Sequence, residues 1–397
     1  MGEDLKWNPS PHYSLSGEGR EGEKDIIVIK VEGFSKAKQL LTRKLFSPFA
    51  GSGISEEETP QKVVERIVNE VRDKGDKALF DYAKELDGVE LSSLEVSKEE
   101  ISNACDMVDA ELVSALELAA KRIRDFHLAC ACKIGTMSVN QHLGRQIQPL
   151  GRVGLYIPGG TAAYPSTVLM TAIPAKVAGV REIIMVSPPS KSGNIPAPTL
   201  VAADIAEVNR VFKVGGAQAI AALAFGTESI PKVDKICGPG NIFVTLAKKI
   251  VYGTAGIDGL QGPSEIIIVA DERANPALCA ADLLAQAEHD PLAQAILITT
   301  SPELANQVDK EVEMQLKKLR RRSIAAPAID KGLVVIVNNI DEAVELVNLF
   351  APEHLSLMVA HASSSTPRIR NAGCIFIGEN SPVVLGDYVA GPSHVLP

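Results

Sequence analysis

From residue 152 to its end the chain alternates short apolar runs with longer amphipathic or alanine-rich stretches. The runs are VGLYIP (153–158), EIIMVS (182–187), RVFKVG (210–215), SEIIIVAD (264–271), AILIT (295–299), GLVVIV (332–337) and CIFIG (374–378). Between them lie 165–178, 217–227, 242–252, 275–289, 302–319 and 341–351, which read as helices. Strands without polar alternation belong to sheets covered on both faces, and a strand–helix–strand rhythm makes those sheets parallel. There are enough units for two sheets, with the break near Gly262-Pro263. No repeat of solenoid period is present.

Ahead of residue 152 the pattern is helical. Thr59 followed by Pro60 reads as a cap with proline in the first helical position, and Val63, Val64, Ile67, Val68 and Val71 form one apolar stripe that Gly75 ends. A second helical block covers 98–128. Residues 1–24 are rich in Gly, Ser, Pro and charge and read as a loose tail. Residues 25–58 hold Ile26, Ile27, Val28 and Ile29, then Leu40, Leu41, Leu45, Phe46 and Phe49, outside any strand–helix unit. Two placements are open for this segment: against a partner subunit, or on the core of its own.

Composition narrows the function classes. Of 397 residues, 46% are apolar and 22% charged, while aromatics make up only 4%, so Val, Ile, Leu and Ala must build the core. The formal net charge of −9 leaves no basic stripe for nucleic acid or an anionic membrane. The one dense basic run, 317–322, sits at a helix end and reads as solvated. No apolar run reaches the ~18 residues of a membrane span, and the first residues carry no signal-peptide core. The six cysteines have no framework spacing, and Cys130-Ala-Cys132 lacks a second pair to make a zinc site. These features predict a cytoplasmic protein with reduced thiols.

Candidate chemistry lies in four places. Three predicted strands end in glycine turns, Pro158-Gly159-Gly160, Gly215-Gly216-Ala217-Gln218 and Gly238-Pro239-Gly240-Asn241. Such turns let backbone approach a phosphate, but none is a G-x-G-x-x-G fingerprint, so nucleotide binding and plain punctuation are both open. In LLAQAEHD, Gln286 and His289 are three apart on a helix and share a face with Asp282; that set reads as metal ligands or as a polar helix face. In Ala351-Pro352-Glu353-His354 a helix ends in an acid–imidazole pair, suited to proton transfer and water activation. Asp387, Ser393 and His394 follow in a polar, glycine-bearing loop, where Asp387 could complete a mixed nitrogen/oxygen metal site.

RVGLYIPGGTAAYPSTVLM, GGAQAIAALAFGTE, VDKICGPGN, GPSEIIIVAD, DLLAQAEHD, APEHL and GDYVAGPSHVLP occur in that order. From about residue 56 onward the chain thereby resembles the histidinol dehydrogenases. The resemblance implies an α/β fold of the aldehyde/histidinol dehydrogenase kind, with two incomplete Rossmann-like domains, an N-terminal helical and extended segment, and an intertwined homodimer. It implies oxidation of L-histidinol to L-histidine through bound histidinaldehyde with two NAD+ and a Zn2+. It assigns Glu353 as the water-activating carboxylate and His354 as general base. Gln286, His289 and Asp387 match zinc ligands that also face the substrate, Tyr156, Gln218 and Asn241 match NAD contacts, and Ser264, His354 and His394 adjoin the substrate. On this reading 25–58 is a dimerisation segment, 152–263 is the NAD domain, and 59–151 joins 264–397 in a discontinuous domain carrying the chemistry.

Two departures stand out. The family continues past HVLP with a tail that supplies a fourth zinc ligand, a His, and a nearby Glu to the partner's site, whereas this sequence stops at Pro397, which predicts a C-terminally truncated form. Gln261 stands where the family has Ala. A related zinc and NAD dehydrogenase of another polar alcohol, such as a sulfonated diol, and a non-catalytic nucleotide-binding remnant are the alternative functions.

Overall fold

The computed structural model describes residues 29–45, 59–132, 135, 137–138, 143–159 and 163–395. The expected tail 1–24, together with Ile26–Val28, Phe46 and Phe49, lies outside them. The strands are β1 (Ile29–Glu32), β2 (Met137–Ser138), β3 (Gly144–Arg145), β4 (Arg152–Tyr156), β5 (Glu182–Ser187), β6 (Arg210–Lys213), β7 (Lys235–Cys237), β8 (Gly256–Ile257), β9 (Glu265–Ala270), β10 (Gln294–Thr299), β11 (Leu333–Ile336), β12 (His354–Met358) and β13 (Cys374–Ile377). One sheet runs β6-β5-β4-β7-β8 and a second runs β1-β11-β10-β9-β12-β13, every pairing in both being parallel. β2 and β3 form a separate antiparallel ribbon.

The unbroken apolar runs follow from burial of both faces. In β9, Ile266 and Ile268 enter one core while Ile267 and Val269 enter the opposite one. In β5, Ile183 and Met185 face one cluster and Ile184 and Val186 the other. Neither strand has a wet side, so polar alternation never arises. In each sheet the chain reverses direction once. β7 adds to the far side of β4 from β5, and β12 adds to the far side of β9 from β10.

Packing redraws the expected domains. The helices 60–74, 98–107 and 110–131 bury Val63, Val64, Ile67, Val68, Val71, Leu116 and Ile123 against the five-stranded sheet. Residues 59–131 therefore belong with 152–257 and not with 264–395, because their apolar stripes meet the five-stranded sheet's covering helices. Of the two placements open for the segment 25–58, the described part takes the second. β1 pairs with β11, and Val31, Ala37 and Leu41 join the six-stranded sheet's core, so this part packs within its own subunit.

Smaller differences have local causes. The block 98–128 is two helices because Asp109 caps a new one, and a further helix, Arg322–Asp330, follows the basic run. His354 opens β12, preceded by Ala351 in the left-handed conformation (φ 56°) that ends helix 340–350.

Candidate functional site

All three glycine turns lie at carboxyl ends of strands in the five-stranded sheet, after β4, β6 and β7. Ligands of open parallel sheets bind there, beside the point where strand order reverses, which is between β4 and β7. Tyr156, the last residue of β4, is buried, and its Oη accepts a hydrogen bond from the Gly216 N–H at 3.2 Å. Burial pushes its phenol up to about 12, so it stays protonated. Gln218, two residues past Gly216, is 2% exposed, and its Oε1 has no protein partner. Gly238 holds φ +117°, and a Cβ there would meet the Tyr156 carbonyl oxygen at 2.1 Å. The β7 turn therefore rests on the backbone of Tyr156 as only glycine allows. Asn241, exposed at the end of that turn, caps helix 242–251 by accepting from the Phe243 and Val244 N–H groups. The structure thus brings Tyr156, Gln218 and the Asn241 turn to one edge.

The acid–imidazole pair lies at the opposite kind of edge, where β9 and β12 begin. His354 is 4% exposed. Its Nδ1 meets the Glu265 carbonyl at 3.1 Å and lies 3.5 Å from Glu353 Oε2; Nε2 lies 3.6 Å from Asp387 Oδ1 and has no hydrogen-bond partner. A carbonyl only accepts, so Nδ1 carries a proton and Nε2 is the titrating atom. Burial by itself lowers the pKa of this imidazole, but Asp387 and Glu353 outweigh it and push the group up to about 10. Glu353 is pinned in turn, its Oε2 accepting the Glu265 N–H at 3.1 Å. The Phe376 ring stacks on His354 with 6.1 Å between centroids. A small cleft beside them is lined by His354, Cys374, Phe376, Asp387, Ser393 and His394. His394 bonds through Nδ1 to the Asp387 carbonyl at 2.8 Å, and burial lowers its pKa, keeping it neutral.

Glu265 was not among the sequence candidates. Burial first, then repulsion from Glu353, raises its carboxyl to about 7. The unfolded chain ionises this group near its ordinary value while the folded chain holds the proton to about 7. Its contribution to stability is therefore intact below the unfolded value and is lost as pH rises through 7. Glu265→Gln is expected to melt with the parent at pH 4.5 and roughly 5 °C above it at pH 8.5. An equal offset at both pH values in calorimetric scans would refute the buried-proton account.

The metal candidates are only partly assembled. Asp387 lies on a short helix, Val383–Tyr388, rather than in a loop, and faces His354. Gln286 is 2% exposed with Nε2 unpartnered. His289 falls beyond helix 276–287, on an exposed turn whose N–H bonds the Gln286 carbonyl. Among the described residues no three His, Cys, Asp or Glu side chains converge as a metal cluster. The chemistry of the set nonetheless fits a cation. Asp282 is buried with Oδ2 unpartnered, and burial, together with the Asp387 charge, raises it to about 6. A pocket with surplus negative charge and unfilled polar atoms is relieved by a divalent ion. Ser264 precedes Glu265 directly; its carbonyl accepts the Gln294 N–H.

Two parallel α/β layers, one with dinucleotide-type turns and the other with an acid–imidazole pair, are the parts of a nicotinamide-dependent oxidoreductase. Residues 52–397 match the family model described as histidinol dehydrogenase. Histidinol dehydrogenase from Dehalococcoides mccartyi (strain CBDB1) is 53% identical over 378 residues, covering 92% of this chain and 86% of the relative. That of Aquifex aeolicus (strain VF5) is 49% identical over 377 residues, with 93% and 86% covered. The crystal structure of histidinol dehydrogenase from Elizabethkingia anophelis matches with a TM-score of 0.85 at 37% identity, covering 93% of this chain and 84% of that one. The chain belongs to the histidinol dehydrogenase family. It is an oxidoreductase of the type that serves histidine biosynthesis, with NAD and Zn2+ as the family's cofactors. No helix among the described residues is long and apolar enough to cross a membrane.

Proposed function

We propose that the chain oxidises L-histidinol to L-histidine in two successive two-electron steps, through a histidinaldehyde that stays bound, and reduces two NAD+. The observation that carries this reading is the buried imidazole of His354, fixed by the Glu265 carbonyl with its Nε2 turned to Asp387 and unbonded. In each step His354 takes the hydroxyl proton at Nε2 while hydride leaves carbon for the nicotinamide. Between the steps Glu353 orients the water that adds to the aldehyde. Tyr156, Gln218 and Asn241 hold the dinucleotide, and Ser264 and His394 adjoin the substrate. Gln286, His289 and Asp387 would hold Zn2+, which supplies a Lewis acid and an anchor for the substrate's amine and imidazole. When Asp387 neutralises a cation it no longer raises His354 as strongly, so the base form is reached at lower pH.

The assembly we propose is a homodimer. Val384, Leu385 and Tyr388 are 41%, 45% and 55% exposed on the helix that carries Asp387, and an apolar face beside a polar cleft suits a subunit contact.

Stoichiometry tests the reaction. Zinc-loaded enzyme is expected to form two NADH per L-histidinol with no aldehyde trapped in solution. One NADH with aldehyde released, or a higher kcat/KM for a sulfonated diol, would replace this reading by the related dehydrogenase activity.

A further inference from the structure

Lys248 is 1% exposed, and its ammonium donates to three residues in two segments. Nζ reaches the Gly238 carbonyl at 2.5 Å, Asp258 Oδ1 at 2.6 Å and Gln261 Oε1 at 3.3 Å. Asp258 completes the clasp by accepting the Gly238 N–H at 2.6 Å through Oδ2 and the Gly259 N–H at 2.8 Å through Oδ1. Gly238 is thus held at both its N–H and its carbonyl. On the other side, Thr245 Oγ1 from the same helix donates to the Gln261 carbonyl at 3.2 Å. Gln261 is three residues ahead of Ser264, in the segment that crosses from the carboxyl edge of one sheet to the amino edge of the other.

A buried ion pair is a poor device for stability, since apolar residues of equal volume often hold a core as well or better. Lys248 sits in the last turn of helix 242–251, and its side chain reaches back to the turn before that helix. Stability alone does not explain that arrangement. What a lysine does here that a leucine cannot is fix the spacing of the 238 turn and the 258–261 segment by direct hydrogen bonds.

We propose that Lys248 is a positioning residue that sets the dinucleotide turn 238–241 and the Ser264 approach to the substrate as one unit, with Asp258 and Gln261 as its two arms. The proposal rests on the reading that Asn241 faces NAD+ and Ser264 the substrate. The Asp258 arm holds the nucleotide side, and the Gln261 arm holds the substrate side.

Calorimetric titration of NAD+ and of L-histidinol into the zinc-loaded full chain, with melting temperatures alongside, tests it. Lys248→Met leaves Asp258 uncompensated; it is expected to lower the melting temperature by roughly 10 °C and to weaken both ligands by about 10-fold or more. Lys248→Met combined with Asp258→Asn removes both charges, and it should regain most of the melting temperature but neither affinity. Gln261→Ala, at a half-buried site that tolerates it, should melt within about 2 °C of the parent. It should weaken L-histidinol about 3-fold and NAD+ less than 2-fold. Recovery of both affinities along with stability in the neutral pair would show that Lys248 is structural only. Unchanged L-histidinol binding in Gln261→Ala would break the arm to the substrate side, and that variant decides the matter even where the lysine variants fail to fold. Asn241→Ala serves as the separate check on the underlying reading, because unaltered NAD+ affinity there would remove the nucleotide assignment whatever Lys248 does.

Discussion

His354→Ala is expected to lower kcat by roughly 10²- to 10⁴-fold, the span lost with a positioned general base. Its side chain is buried between Glu353 and Asp387, and Nε2 bonds to nothing in the protein. The fold should survive, since His354 opens a strand whose ladder to β9 and β13 is made by backbone. Steady-state kinetics with saturating zinc and NAD+ measure the effect. The assignment fails if the variant keeps more than about a tenth of parental kcat while its circular dichroism is unchanged.

Asp387→Asn is expected to cut retained zinc to about a tenth or less after dialysis, with turnover falling about 10²-fold or more at trace metal. The change keeps shape but removes the carboxylate charge that both metal and imidazole feel. It has a second signature. With one of its two carboxylates gone, His354 in the metal-free protein should titrate well below about 10, which its imidazole proton resonances report. Full zinc retention together with an unmoved His354 titration would place the metal elsewhere. The two readouts separate a ligand from a mere neighbour, because a neighbour moves the titration and leaves the metal bound.

The sequence made the strands of both sheets legible wherever burial on two faces left an unbroken apolar run, as in 182–187 and 295–299. It hid strands too short to show a run, such as β8 with two residues. It hid β12 as well, because Ser356 interrupts an otherwise apolar segment and is fully buried without a polar partner. Of the site, Glu353 and His354 were readable because a charged pair after a helix end, ahead of an apolar segment, is unusual. The grouping of residues 59–131 was not readable, since an apolar stripe declares that it will be buried and not against which sheet. Glu265 looked like an ordinary polar strand start. Its weight comes only from the meeting of β9 with β12, whose residues are nearly ninety positions apart in the chain. Lys248 carried no signal at all, for a lysine in an amphipathic helix reads as solvated until its partners are known.

The rule that ligands of parallel sheets gather at carboxyl ends points to the turn side here and would miss the proposed catalytic pair, which stands at the amino ends of β9 and β12. Hydride transfer needs both, so the crossing segment 258–264 fixes how one edge addresses the other, and it contains the two positions that Lys248 holds besides Gly238.

The β1–β11 ladder has a bearing on how the molecule is made. Ile29 lies opposite Leu333, so this strand, once off the ribosome, lacks its pairing partner until about 300 more residues have been added. At roughly 5–20 residues per second that is an interval of about 15–60 s. During that time a short strand and its following helix, with Val31 and Leu41 meant for the core, must be kept from pairing with other chains.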